Sequence, residues 1–341
     1  LNLRDTAIPA TFVMVHTDLL AADGSSPVMG NAALETRPLT GIQRAVLRTL
    51  VYFDIFQHPL RQDELVRFLH IPCSAQWELD SSLQQLVEHG LLDRQAEHYT
   101  IRGSRADLAA RQAGEQRAMQ RKAKAIRMSR LIGRFPYVRA VMMSGSMSKG
   151  VLAKDGDLDF FVITGPGRLW VARTLLIAYK KVFLLNSHRD LCVNYFVDTA
   201  HLGIEDRNLF TATEVMTLMP MVGPAVCTAF FAENRWALEH LPNACTPSSD
   251  HVRESPLRFQ RIAERWLSGS FGDRLDTWCM TRTKERWRRK FPQFDAERFE
   301  LALRSRRYVS KHHPRNYQEK VLTAYANGLG AFEQRTGLSV T

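Results

Sequence analysis

From Val141 to Thr164 the chain runs VMMSGSMSKGVLAKDGDLDFFVIT, and no other stretch constrains the fold as tightly. An apolar strand ends in Ser144-Gly145-Ser146, a turn-rich connector follows, and a second strand carries Asp157-Leu158-Asp159. Side chains alternate along a strand, so Asp157 and Asp159 are expected on one face while Leu158 and Phe160 enter the core. Paired carboxylates on one sheet face repel each other, a cost that divalent metal ions between them remove. The Gly-Ser turn offers backbone N–H groups, a hydroxyl and close approach, which a phosphate chain requires. Asp-x-Asp alone is a weak signal. A Gly-Ser strand end with the pair opening eleven residues after Ser146 is far more specific, and it points to phosphoryl-transfer chemistry.

The surroundings of this hairpin predict an α/β core. Val138–Met143 and Leu158–Thr164 read as strands, Gly165-Pro166-Gly167 as a turn, and Arg168 to about Leu185 as a helix. Asp190–Val197 alternates as a third strand, and Thr211–Met219 looks helical before Pro220. The apolar run Leu169–Leu185 is interrupted by Arg173, Lys180 and Lys181, which suits a core helix and not a membrane span.

Ahead of the core, residues 39–103 give three helices and a hairpin. Thr40 caps a helix to about Phe56, Arg61–Leu69 forms a second, Ser74 to about His89 a third, and Gly90 ends it. Leu91–Arg94 and His98–Ile101 then read as two strands, completing a winged helix-turn-helix. Such a unit invites a DNA-binding role, but its third helix carries Glu78, Asp80 and Glu88 with no Lys or Arg between Ser74 and Glu88. Phosphates would repel that helix, so a scaffold or protein-contact role is expected over sequence-specific DNA binding. Residues 1–38 form an irregular extension with a short strand at Thr11–Val15, and 104–136 a basic linker helix. Residues 137–245 are expected to form the α/β domain that holds the hairpin, and 246–341 a C-terminal helical domain.

Charge is unevenly placed. Residues 102–139 hold eleven Lys/Arg against two acids, and 251–320 eighteen against nine, in a chain of net charge +11. Two basic segments suit polyanions, whether nucleotide triphosphate, nucleic acid or anionic lipid headgroups. Arg286-Trp287-Arg288-Arg289-Lys290 interleaves tryptophan with cations, yet packing of its tryptophans on the core is the expected use. Five scattered cysteines without Cys-x-x-Cys argue against a disulfide framework or zinc site. With no signal-peptide pattern at the start, a cytoplasmic protein is expected.

These residues resemble the DNA polymerase β-type nucleotidyltransferase superfamily, whose turn often continues Gly-Ser-x-Ala-Arg-Gly before an Asp-x-Asp about ten residues on. Here the turn is Gly145-Ser146-Met147-Ser148-Lys149-Gly150, with Lys where that pattern often has Arg. The layout is similar to a bacterial group with a winged helix ahead of the transferase domain. The resemblance implies that Ser144, Gly145 and Ser146 hold the β- and γ-phosphates of a nucleoside triphosphate, with Lys149 a further contact. It implies that Asp157 and Asp159 bind two Mg²⁺ ions, or Mn²⁺, one orienting the triphosphate and the other lowering the pKa of an acceptor hydroxyl.

A third carboxylate from a later strand usually completes such a site. Asp190 is the first choice for this metal-binding and catalytic role, with Asn194 and Asp198 sharing its face by period two. The implied activity is NMP transfer from an NTP to a small-molecule or protein hydroxyl, with release of pyrophosphate. The alternatives are a non-catalytic winged-helix regulator that senses nucleotide, and a toxin- or antitoxin-type transferase. Arg173, His188, His201, His312-His313, Asn234 and Trp236 are secondary candidates, each with an ordinary structural role as its alternative.

Overall fold

The structure is a computed structural model that describes residues 38–187, 189–250, 252, 254 and 258–340. The expected extension and its short strand, and His188, lie outside the described residues. The chain is mixed α/β and divides into two compact units.

The smaller unit gathers residues 38–111, 239–244 and 321–340. Helix α1 (Gly41–Asp54) opens with a capping box: the Gln43 N–H donates to Thr40 Oγ1 at 3.2 Å, and the Thr40 N–H to Gln43 Oε1 at 2.9 Å. Its buried Val46, Leu47, Leu50 and Phe53 recur at helical spacing, as the sequence predicts. Strand β1 (Leu60–Arg61), α2 (Gln62–Phe68), α3 (Gln76–Glu88), β2 (Leu92–Gln95) and β3 (His98–Ile101) follow, and the sheet order is β1-β3-β2. Glu78, Asp80 and Glu88 of α3 are exposed. A helix at 317–336 adds Tyr325, whose ring meets Tyr52 edge-on at 5.6 Å.

The larger unit covers residues 112–238 and the described part of 245–320. After α4 (Leu108–Gly133) come β4 (Val138–Ser144), the single turn α5 (Gly145–Ser148), β5 (Asp159–Thr164), α6 (Leu169–Phe183) and β6 (Cys192–Asp198). Then follow α7 (Leu209–Met216), β7 (Met219–Val222), α8 (Pro224–Glu233), α9 (Ala237–His240), α10 (Arg258–Trp266), α11 (Gly269–Lys290), α12 (Ala296–Leu303), β8 (Ser305–Arg306) and β9 (Val309–Lys311); α13 (Tyr317–Thr336), which comes last, has most of its residues in the smaller unit. The sheet order is β7-β4-β5-β6-β9-β8, and only β5 and β6 run parallel. That pair needs a crossover, which α6 supplies. All six residues of β5 are buried, as expected of a central strand covered on both faces.

Three sequence expectations change here. Pro220 does not merely end a helix; it sits in β7, which lies at the sheet edge where its missing N–H costs no ladder bond. The third strand starts at Cys192, two residues later than Asp190. Residues 246–341 are not helices alone, because β8 and β9 extend the sheet beside β6.

Helices α6 and α11 are joined by a buried carboxylate. Asp276 of α11 is fully buried, and its Oδ1 accepts the Val171 N–H at 2.9 Å in the first turn of α6. Burial raises its pKa to about 6. A raised folded-state pKa makes stability complete below the unfolded value of about 4 and lost as pH rises through about 6. The two-unit difference corresponds to about 3 kcal/mol. Denaturant titrations between pH 4 and 7 should show Asp276→Asn less pH-sensitive than wild type by about that amount. Identical slopes would refute this.

Candidate active site

The two strands of the sequence motif are neighbours. Ser144, at the end of β4, pairs with Asp159 at the start of β5. Gly145 follows with φ +67°, and a Cβ there would stand 2.5 Å from Asp159 Oδ2. Glycine is therefore required twice, for its left-handed backbone and for its approach to the carboxylate. Leu158 and Phe160 enter the core, while Asp159 and Phe161 line a cavity on the other face. β5 begins only at Asp159, so Asp157 precedes the strand expected to carry both carboxylates and is not among the residues lining the cavity.

That cavity, of about 80 Å³, has room for several water-sized groups. Its walls are mostly apolar, with Phe161, Tyr195, Ile204, Phe210 and Leu218, and Ser144, Asp159, Asn194, Asp206 and Glu214 are among its polar lining residues. Asp159 is 1 % exposed and Asp157 3 %. Burial first, then the Asp157 charge, pushes the Asp159 carboxyl well above the usual carboxylate range, and Glu214 adds to this. Asp159 Oδ1 accepts the Asn194 amide at 3.1 Å, while its Oδ2 is buried with no hydrogen-bond partner. Buried Cys192 lies beside it, with a thiol raised far above the reactive range by burial and by Asp159. Lys180 of α6 is buried within the field of Asp157, Asp159 and Cys192. Burial lowers its pKa and the carboxylates oppose that.

The Gly-Ser turn is packed tightly. Ser146 is 3 % exposed, and its Oγ is buried without a hydrogen-bond partner. Lys149, which the resemblance makes a triphosphate contact, is held inside the protein and does not line the cavity. Its Nζ donates to Glu214 Oε1 at 2.8 Å and to the Gly145 carbonyl at 3.2 Å, and the side chain is almost wholly buried.

The three carboxylate candidates separate. Asp190 does not line the cavity: its Oδ1 is held by Arg121 Nη2 at 2.8 Å and Lys124 Nζ at 2.6 Å, both from α4. Asp198 pairs with Thr164 at the far end of the parallel strands, about 16 Å along β5 from Asp159, and hydrogen-bonds His201 Nδ1 at 2.8 Å. Asn194 is the candidate that the structure brings to Asp159, on the face that period two along β6 gives it: Cys192 pairs with Asp159, and Asn194 lies two residues further on. The register then shifts, Phe160 pairing with Val193 and Phe161 with Tyr195, so Tyr195 lines the cavity as well.

Glu214 is the residue that sequence reasoning missed. It sits on α7, which carries no motif, and only the fold brings it to the cavity beside Asp159. Asp206 is the other cavity carboxylate, but Arg304 and Lys311 each hold it at 2.9 Å. His313 also lines the cavity. Burial, reinforced by Lys311, depresses its pKa to about 3, and its Nε2 has no hydrogen-bond partner. Arg173 is not an exposed helix arginine. It lies buried over the rings of Trp170 and Trp287, 5.7 and 4.8 Å from their centroids. His312 packs on Trp287 at 4.8 Å, so the adjacent histidines serve separate surroundings. Asn234 is structural: its Oδ1 accepts the Ile204 N–H at 2.8 Å and Trp236 Nε1 at 3.1 Å.

The donor set fits a divalent cation at the aspartate pair. Its oxygens are hard, one is buried without a partner, and a cation would offset both the burial and the Asp157 charge that raise the Asp159 pKa. Among the described residues, no three His, Cys, Asp or Glu side chains converge as a metal site. Comparison with protein-family models, with curated proteins and with solved structures yields no match for this chain.

Proposed function

We propose that the larger unit is a nucleotidyltransferase that moves a nucleoside monophosphate from an NTP to an acceptor hydroxyl, releasing pyrophosphate. One observation carries the reading: the glycine turn lies directly against the acidic pair, with Ser144 opposite Asp159 and no space for a Cβ at Gly145. A phosphate-binding turn and a pair of metal-binding carboxylates must be adjacent for both to act on one triphosphate. Asp157 and Asp159 would hold Mg²⁺ or Mn²⁺, which when bound neutralises phosphate charge and acts as a Lewis acid.

The remaining roles belong to the chain itself. Ser144 and Gly145, which line the cavity, would position the phosphates, whereas Ser146, its Oγ buried without a hydrogen-bond partner, does not line it. Lys180 offsets part of the carboxylate repulsion. Glu214, paired with Lys149 in this structure, would take the third-carboxylate role assigned from sequence to Asp190 on releasing that lysine, because Asp159 senses its charge and both line one cavity. The apolar walls suit a small-molecule acceptor better than a charged polymer end. In this reading the smaller unit is a winged helix-turn-helix used for scaffolding, since exposed acids on α3 would repel a phosphate backbone.

A second reading is favoured by Asn194. An amide stands at Asp159 where a carboxylate would complete the site, which suits a protein that binds nucleotide without turning it over. Incubation with each α-labelled NTP and Mg²⁺ separates the two: transfer yields pyrophosphate and a labelled acceptor, sensing yields bound, intact nucleotide. No turnover and no Mg²⁺-dependent nucleotide binding in wild type would sink both. Among variants, Asp190→Asn should keep turnover within about threefold and cost no more than about 1 kcal/mol, as for an ordinary ion pair. Glu214→Gln should cut turnover on the order of 10²-fold. The reverse pattern would restore the role to Asp190.

A further inference from the structure

We propose that the outward face of α11, with the adjoining end of α10, docks on the surface of an anionic lipid bilayer. Trp278 and Trp287 stand nine residues apart on α11, which is half a rotation at 100° per residue, so they point to opposite sides. Trp287 is 5 % exposed and packs on Trp170 and Arg173, which accounts for one tryptophan of this segment by core packing. Trp278 is 56 % exposed, and Phe271, two turns earlier on the same side, is 63 % exposed. Exposed Arg274, Arg282 and Arg289 share that side, and the Arg282 guanidinium lies 5.8 Å from the Trp278 ring centroid. Its acid is Glu285, 3.5 Å from Arg282. On α10, Trp266 is 81 % and Ile262 57 % exposed, with Arg261 and Arg265 beside them.

Water-facing tryptophan, phenylalanine and isoleucine interleaved with arginine is the composition of a helix lying in a headgroup layer. Aromatic rings enter the acyl boundary while guanidinium groups meet anionic headgroups. Residues 258–290 carry ten Lys/Arg against four Asp/Glu, so the charge suits a negative surface. Nucleic acid fits less well. Phe271 and Trp278 are about 10.5 Å apart along the helix axis, too far for successive stacked bases, and Ile262 offers no ring to stack on. Among the described residues no helix is long and apolar enough to cross a membrane, so the contact is peripheral.

The test is co-sedimentation of the full chain with vesicles of phosphatidylcholine alone and of phosphatidylcholine with about one-third phosphatidylserine, a composition that gives the surface its negative potential. Binding should be seen only with phosphatidylserine, and should weaken steeply between about 50 and 300 mM salt as the Debye length shortens. Phe271→Ser/Trp278→Ser should weaken it on the order of 100-fold, by loss of apolar burial. Arg274→Glu/Arg282→Glu should weaken it about 30-fold or more. These side chains are exposed, so circular dichroism and melting should match wild type. If a variant fails to fold, the wild-type salt and lipid dependence still decides. Absence of binding to phosphatidylserine vesicles overturns the proposal, as does equal binding to both lipids, or binding unchanged in both variants. Binding of single-stranded RNA through these residues, with no vesicle affinity, would overturn it in favour of a nucleic-acid platform.

Discussion

Replacing Asp159 by asparagine should abolish nucleotidyl transfer, by on the order of 10³-fold or more, while leaving the protein more stable than wild type. Both halves follow from one environment. The carboxyl is 1 % exposed, its Oδ2 has no hydrogen-bond partner, and burial and Asp157 together raise its pKa well above the usual range. A buried carboxylate kept ionised at neutral pH costs free energy, and a neutral side chain of the same shape removes that cost. The sign with pH is fixed by the direction of the shift. Because the folded-state pKa is raised, the associated stability is complete below the unfolded value of about 4 and is lost as pH rises through the folded value. The wild-type advantage at low pH should therefore be absent in Asp159→Asn, and the variant's melting temperature should exceed wild type at pH 7 and above. Melting curves from pH 4 to 8, alongside pyrophosphate release, check both. A variant that is inactive and also less stable at pH 7 would show that Asp159 is a structural carboxylate.

Gly145→Ala should destabilise the larger unit through two separable costs. Placing alanine at φ +67° costs about 1 kcal/mol, and forcing a Cβ to 2.5 Å from Asp159 Oδ2 adds about 1–3 kcal/mol of overpacking. The double variant Gly145→Ala/Asp159→Ala separates these contributions, since removing the carboxylate removes the collision and leaves only the backbone cost. Denaturant titration of the four proteins should give a coupling of about 1–3 kcal/mol between the positions. A coupling near zero would mean that Gly145 is needed for its backbone angle alone. By contrast Gly150, at φ +76° with open space around it, should show only the backbone cost, about 1 kcal/mol, when changed to alanine.

The hairpin at the centre of both predictions was legible in the chain because its determinants are local. Period-two alternation places Leu158 and Phe160 inside and Asp159 outside, and a turn between two strands sets Ser144 across from Asp159. Capping by Thr40 was legible for the same reason: it depends on residues three apart. The third carboxylate depends on residues far apart in sequence. Asp190 is diverted by Arg121 and Lys124, some 66 to 69 residues earlier, and Glu214 arrives on a helix with no motif of its own. Trp278 and Trp287 look alike in a basic helix, and which is covered depends on where Trp170 lies.

The sequence alone determined the alternating strands, the glycine turn and the paired carboxylates, since each follows from the geometry of a few successive residues. Tertiary structure decided which side chains complete the site. Ion pairs formed across the fold take Asp190 away and bind Lys149 to Glu214, leaving Asn194 as the β6 side chain on Asp159. A charge finds its partner only once distant segments have packed, and no local pattern records that choice.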